Sequence, residues 1–556
     1  MPRYLISRAE VFIILLLACV PLFIHLPYRV NIFLSWEGAY RMSLGQLPFR
    51  DFGTPLGGMY WVMPAIFFKI FGPKMITLIK AQVFINILAG FSFRSILKSL
   101  SVNKGIRLAS VILFCLSYSF FNFWPWYNHT VIVYELVALA CLMQYLCPDL
   151  ADGVIGRGGK FRWVWLASAG LFTVCSFLTK QDGGGMAVLV SAFVLGVYGW
   201  LYGRWRPFLI YGASFAAVLG LVILVFGHYG FGYWFNHGQP PHSSRVSGAD
   251  IATEFFGASQ WIKFYLFLLV FIALVRYRSI GMLKADPRGV LLLGLTLGML
   301  GEAAVLQVTS YTPPDNNIFF HSFAFPCLLS LLAPLLPVNL ERPRLTFLLT
   351  AGILLWWSGV WWKYTQRFTA GRTVTGMAVS PTGENVVGKD NYMINRDTTL
   401  KDIPTEQWVE CGLAAFRKIT MPPPTADGIH RLMNMDLVVH NKGGLKVLNM
   451  SELTPLAVEI PYLPERNSQL PLWYHLGVGM FNRQADSFET RIRDHHYDLV
   501  LFEYLPTLNN FYPFRVRDSL LLHYKLVDSF MAPRRGLETR GTIEVYVNSN
   551  HISESH

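Results

Sequence analysis

Charged residues are scarce in this chain. Asp, Glu, Lys and Arg make up 15% of its 556 residues, against about a quarter in soluble globular proteins. Hydrophobic residues make up 53%, and Phe, Trp and Tyr alone 15%. That balance excludes an ordinary soluble enzyme and points to a polytopic membrane protein. Cysteine is also sparse. There are seven, Cys19, Cys115, Cys141, Cys147, Cys175, Cys327 and Cys411, and all but the last lie inside apolar stretches. With no CxxC spacing among them, a disulfide framework and a thiolate metal site are both excluded. Gly183-Gly184-Gly185 has no Walker or dinucleotide pattern around it, so it is no phosphate loop. Internal repeats and low-complexity tracts are absent. The charge that remains is basic, 47 Lys and Arg against 34 Asp and Glu. Most of it falls between apolar runs, as cytoplasmic loop charge does, so nucleic acid is not an expected partner.

What is abundant is apolar sequence in long runs. Crossing a bilayer core of about 30 Å takes about 20 apolar residues. Such stretches lie at 10–27, 75–95, 107–124, 130–147, 163–179, 184–203, 207–227, 260–276, 288–308, 319–338 and 345–362, which gives about eleven spans. Segment 59–72 is apolar but short, and Pro64 and Lys69 interrupt it. It reads as a helix lying at the interface. Lys and Arg concentrate in alternate connections, among them Arg94, Lys98, Lys104 and Arg107. This bias puts the N-terminus in the cytoplasm, reads those connections as plain solvated charge, and, with an odd span count, puts the C-terminal region outside. Composition turns polar near Trp362. Residues 1–362 therefore read as a transmembrane domain and 363–556 as an extracytoplasmic α/β domain. Strands are expected at Leu437–His440, Leu445–Leu448, Asp498–Phe502 and Ile543–Val547, and helices at Glu406–Lys418 and Asp518–Val527.

The unusual polar residues collect in the expected outer connections. The first loop, 28–74, carries Glu37, Tyr40, Arg41, Arg50 and Asp51 between apolar segments. Ionisable groups so close to hydrocarbon are costly and mark functional sites. Lys80 lies just inside the second span, Asn128 and His129 join the third and fourth, and Lys180 and Asp182 follow the fifth. Trp234 and His237 lie in connection 228–258, and His321 in connection 309–321. Glu135 and Glu302 sit inside apolar runs, where structural pairing and a catalytic role are both open. A cation cluster at headgroup depth suits an anionic lipid phosphate, and a nearby carboxylate suits proton abstraction from an incoming hydroxyl. The bland alternative is that Glu37 and Asp51 simply pair with Arg41 and Arg50. His237 and His242 have no third ligand at metal spacing, so no metal site is assigned and divalent-metal dependence stays open.

The first loop resembles that of polytopic glycosyltransferases of the GT-C class, such as the protein O-mannosyltransferases and the lipid A aminoarabinose transferases. Their loop typically reads D-E-G-x-Y, then G-x-x-P-Y-R-D-F, then P-P-L-x-Y-W and an aromatic helix ending F-G. Glu37-Gly38-Ala39-Tyr40 matches the first part and Gly45-Gln46-Leu47-Pro48-Phe49-Arg50-Asp51-Phe52 the second. Pro55-Leu56-Gly57-Gly58-Met59-Tyr60-Trp61, ending at Phe71-Gly72, is similar to the third, and His321-Ser322-Phe323-Ala324-Phe325-Pro326 to a late R-Y-x-x-P segment. The resemblance covers roughly the first 340 residues. Trp36 stands where the family has its first Asp, and Thr54-Pro55-Leu56 lacks the family lysine.

The resemblance implies a GT-C-like fold of about eleven transmembrane helices, with interfacial helices in the first outer loop. It implies transfer of a sugar from a polyprenyl-phosphate carrier to a hydroxyl of an envelope glycan, lipid or protein, in the inner membrane and on its outer face, without a cofactor. Glu37 and Asp51 are then the expected catalytic carboxylates. Arg41, Lys80, Lys180 and His321 are expected at the donor phosphate, and Tyr40, Arg50, Asn128, His129, Trp234 and His237 in the substrate pocket. Two alternatives stand beside this: a silent scaffold subunit of an envelope assembly, which Trp36 favours, and a transporter or lipid-carrier flippase.

Overall fold

The computed structural model describes residues 3–29, 32–54, 56–117, 123–151, 162–229, 248–257, 259–309, 319–335, 343–356, 403–441, 443–472, 481–506, 512–534 and 541–549. Each of the expected spans falls on a helix. These are α1 (Arg3–Cys19), α4 (Met75–Ser99), α5 (Lys104–Ser117), α6 (Tyr127–Ala151), α7 (Trp163–Phe177), α8 (Gln181–Tyr202), α9 (Arg206–Phe226), α11 (Gln260–Arg276), α13 (Pro287–Thr309), α14 (Phe319–Leu332) and α15 (Pro343–Trp356). Between them lie α2 (Ile32–Ser43), α3 (Met59–Phe71), α10 (Gly248–Gly257) and α12 (Ile280–Ala285).

Among the described residues, fewer than eleven helices are long and apolar enough to cross a membrane on their own. Six described helices are long and apolar enough to cross a membrane, or seven if the bent pair α10 and α11 counts as one span. The reason is length. A helix of 15 residues such as α7 reaches only about 22 Å. The segment expected at the interface is the 13-residue helix α3. It buries Tyr60, Trp61 and Phe68 and exposes Ile66, Ile70 and Phe71.

Burial ranks the helices. In α6, 89% of the apolar window is buried inside the protein, against 6% in α9. Helix α6 is therefore central and α9 peripheral, and α9 turns Leu209, Leu221 and Leu224 outward. Glu10 of α1 is fully buried. It accepts from Arg94 of α4 and Arg107 of α5, both at 2.8 Å. Arg94 and Arg107, expected as solvated loop charge, are thus pinned between three helices. A buried carboxylate is tolerated only with such partners.

The C-terminal region carries a mixed four-stranded sheet in the order β4 (Val447–Met450), β6 (Leu499–Tyr504), β8 (Thr542–Asn548), β7 (Tyr524–Met531). β4 and β6 run parallel, and β6–β8 and β8–β7 antiparallel. Three of the four expected strands are present, each shifted by one or two residues. The fourth, Leu437–His440, belongs instead to the short helix Asp436–His440; four residues of apolar run fit either state. The expected helix Glu406–Lys418 is two single turns, Thr405–Gln407 and Ala414–Phe416. Gly412 between them sits at φ +74, a conformation no helix continues through. The expected helix at Asp518–Val527 ends at His523, where β7 begins. The expected domain boundary near 362 lies outside the described residues.

This domain is stitched by backbone to the first loop and to the residues just before it. β1 (Leu26–Pro27) pairs in parallel with β3 (Ile419–Thr420), and β2 (Phe52–Gly53) with β5 (Asn467–Pro471). Tyr28 donates its hydroxyl to the carbonyl of Glu452. Beneath that contact Arg534, almost wholly buried, pairs with Glu452 at 2.7 Å and with Glu503.

Arg534→Met leaves two carboxylates buried without their cation. It is expected to cost about 3–5 kcal/mol of stability, read as a lowered midpoint in denaturant unfolding of the full chain.

Candidate active site

Helix α2 can lie against α3 because residue 38 is glycine. A Cβ on Gly38 would sit 2.1 Å from Cε2 of Trp61. The indole N–H of Trp61 donates to the carbonyl of Leu34 at 2.8 Å, which fixes the crossing. Gly57 meets the other neighbour, where an added Cβ would fall 1.7 Å from the carbonyl oxygen of Leu178 just after α7. Helix α2 is thereby clamped against α3, and the turn before α3 against the end of α7.

On this clamped helix Glu37 and Arg41 stand one turn apart. Arg41 Nε donates to Glu37 Oε1 at 2.8 Å. Arg41 Nη1 donates to Gln46 Oε1 at 3.0 Å and to the backbone oxygen of Glu465 at 2.9 Å. Gln46 in turn donates to the backbone oxygen of Pro464 at 2.8 Å. Among the described residues no hydrogen bond reaches Glu37 Oε2 or Arg41 Nη2. A carboxylate oxygen and a guanidinium nitrogen are therefore both available at one spot.

That spot is the edge of a cavity of about 80 Å³ between α2 and the C-terminal domain. From α2 it is lined by Phe33, Trp36, Glu37, Tyr40 and Arg41. The facing wall includes Asn449, Ser451, Tyr462, Glu465 and Tyr512. Trp36 and Tyr40 pack with ring centroids 4.8 Å apart. Burial pushes the Tyr40 phenol up from its ordinary value. The Tyr462 phenol is also raised, first by burial and further by the charge of Glu37. The wall residues of the C-terminal domain have no signal in the sequence. They lie some 400 positions from α2, and only strand pairing brings them near.

The other expected site residues separate into distinct places. Asp51 does not line the cavity. It clasps a turn, with Oδ2 accepting from the Leu47 N–H at 2.8 Å and from Arg50 at 2.6 Å. Phe49 inside that turn holds φ at +68, a strained value for a non-glycine residue. Burial works against the charged form of Asp51, but bonds from Arg50 and Leu47 and the charges of Arg50 and Arg466 outweigh it. Its carboxyl is held below the ordinary range. Lys180 pairs with Asp182 at 2.9 Å and lies over the Tyr127 ring at 5.8 Å. Tyr127 in turn meets Tyr60 of α3 with centroids 6.0 Å apart. His129 packs edge-on against Trp126, and buried Asn128 Oδ1 has no hydrogen-bond partner among the described residues. Lys80 lies over the Phe71 ring at 4.6 Å. His321 is buried between α14 and α11, with Nδ1 3.0 Å from the Tyr265 hydroxyl. Trp234 and His237 lie outside the described residues. Of the twelve expected residues, the cavity therefore gathers three, Glu37, Tyr40 and Arg41.

Fold and site together define a class, a polytopic helical membrane protein whose first loop and C-terminal sheet domain enclose a polar, aromatic-walled cleft. Among solved structures the chain is similar to ArnT from Cupriavidus metallidurans. In the apo state that likeness is 12% identity over 96% of this chain and 97% of that one, with a TM-score of 0.44. Bound to undecaprenyl phosphate it is 11% identity over 97% of each, with a TM-score of 0.43. It is also similar to the Archaeoglobus fulgidus oligosaccharyltransferase, solved with Zn and sulfate, at 11% identity over 63% of this chain and a TM-score of 0.35. The match spans about half of that oligosaccharyltransferase, 51% of its chain. No known protein family and no curated protein matches the sequence. Likenesses at this level leave the chemistry to be read from the chain's own residues.

Gly38→Ala drives a methyl group into the Trp61 ring. It is expected to destabilise by about 1–3 kcal/mol, seen as a lower melting temperature that Trp61→Leu in the same chain partly restores. Asp51 contributes stability that is complete above the unfolded carboxylate value of about 3.9 and is lost as pH falls through its lower folded value. Asp51→Asn is therefore expected to lower the melting temperature at neutral pH, with the two proteins converging in acid.

Proposed function

We propose that this protein is a membrane glycosyltransferase. It takes a sugar from a polyprenyl-phosphate-linked donor and passes it to a hydroxyl of an envelope glycan, lipid or protein. In this reading it sits in the inner membrane with its N-terminus in the cytoplasm and its C-terminal domain outside. One observation carries the proposal: Glu37 and Arg41 stand one turn apart at a cleft walled by Trp36, Tyr40, Tyr462 and Tyr512. Aromatic rings with a few convergent polar groups are what ligand sites are built from.

In the proposed reaction Glu37 Oε2 accepts the proton of the acceptor hydroxyl. The hydroxyl oxygen forms its bond to the anomeric carbon as the bond from that carbon to the phosphate oxygen breaks, and polyprenyl phosphate leaves as the anion. Arg41 Nη2 faces the charge that develops on that phosphate. Fixed cations at a developing charge are often the largest single contribution to such catalysis. Asp51, expected beside Glu37 as a second base, holds the loop in this reading, since a carboxyl bound by Arg50 and a backbone N–H is a weak base. Lys180, one aromatic contact beyond the first loop through Tyr127 and Tyr60, is a second candidate for the donor phosphate.

The second reading is a catalytically silent relative that serves as a scaffold. The existing ion pair between Glu37 and Arg41 favours it, as does Trp36, fully buried where a carboxylate would otherwise stand.

The test is a transfer assay on the purified full chain in liposomes, with a panel of polyprenyl-phosphate sugars and release of the free carrier phosphate as readout. Wild type is expected to turn over at least one donor, and Glu37→Gln to lower that rate by about 10²–10⁴-fold while the melting temperature holds. A Glu37→Gln protein that transfers at the wild-type rate would overturn the assignment. A wild type inert with every donor would support the scaffold.

A further inference from the structure

Two carboxyl groups lie inside the helix bundle, away from the cleft. Glu135 is on α6 and Glu302 on α13, and both are 0% exposed. They stand at matching depth. Glu135 is eight residues from Tyr127, the start of α6, and Glu302 is seven from Thr309, the end of α13, so each lies roughly 10–12 Å from that end of its helix. The two side chains are within hydrogen-bond reach of one another.

Nothing else in the described structure satisfies them. None of their four carboxyl oxygens has a hydrogen-bond donor. The ionisable groups that face them from the packed helices are Asp182 of α8, toward Glu302, and Tyr211 of α9, toward Glu135. Asp182 is paired with Lys180. The Tyr211 hydroxyl donates to Thr173 Oγ1 at 3.2 Å. No lysine, arginine or histidine faces either carboxyl among the described residues. The contrast with Glu10, which two arginines hold, is complete.

An acceptor facing an acceptor has no bond, and two anions buried side by side repel strongly. The contact is favourable only with a positive particle between the oxygens. A metal ion would need more oxygen ligands than two side chains offer, and no group of three or more metal-ligating side chains occurs among the described residues. A proton needs only the two.

We propose that Glu135 and Glu302 are a proton-binding pair, holding one shared proton that ties α6 to α13, and that its loss loosens the bundle at that end. The pair makes the fold sensitive to pH in a definite direction. An unfolded glutamate releases its proton at about 4.3, so a proton kept by the folded pair contributes stability that is complete below that value and is lost as the pair releases it at higher pH. The inference is independent of glycosyl transfer.

Infrared spectroscopy of the full chain in lipid nanodiscs tests it. At neutral pH a C=O band of a protonated carboxyl is expected, lost reversibly on raising the pH. It is also expected to be absent from both Glu135→Gln and Glu302→Gln. The wild-type melting temperature is expected to fall in alkali and that of each Gln variant to stay flat, because the amide N–H supplies the bridge permanently. The wild-type titration stands by itself if a variant fails to fold. Absence of the wild-type band at neutral pH would overturn the proposal. So would its survival in both variants, or a wild-type melting temperature that rises with sodium or calcium ions where the variants' does not.

Discussion

The structure depends on two short parallel strand pairings that join the start of the chain to its far end. β1 meets β3 and β2 meets β5, each across about 390 residues or more. Pairings of two residues do not hold themselves together in water. These persist because one apolar cluster runs through both partners. Ile24 and Leu26 just before the first loop, and Trp36 and Phe52 within it, share it with Ile419, Met421, Leu453 and Leu456 of the C-terminal domain. Closing so long a loop costs little more than closing a shorter one, since the entropy grows only with the logarithm of length. Burial across the joint therefore decides whether the cleft exists.

The polar groups of the first loop follow from that docking. Arg41 and Gln46 reach carbonyls of the C-terminal domain, and the carbonyl of Asp51 accepts from Asn467. Buried backbone oxygens need such donors. Part of the charge that looked functional therefore also has structural partners. Arg50 and Asp51 close a turn, and Arg41 gives one bond to the C-terminal domain and one to Gln46. What is left over, one oxygen of Glu37 and one nitrogen of Arg41, is the part with chemical freedom.

The bundle shows the same division between satisfied and unsatisfied charge. Glu10 with Arg94 and Arg107 is a closed set that joins three helices. Glu135 and Glu302 have no such complement among the described residues. In a low-dielectric interior that difference separates a structural ion pair from a group that must take something up.

The sequence by itself determined the membrane class, the helix at every expected span, the short helix within the first loop, and most of the strands. These depend on periodicity and length, which are local properties. It also drew attention to Glu37 and Arg41, which line the cavity, because charge beside apolar runs is visible in one dimension. It did not determine the short helix at Asp436–His440, or the bonding partners of Arg50, Asp51, Arg94 and Arg107. Nor did it point to Asn449, Tyr462, Glu465 and Tyr512 as the opposite wall. Those rest on which partner reaches a charge first, and partners hundreds of residues away are chosen only when the chain is packed.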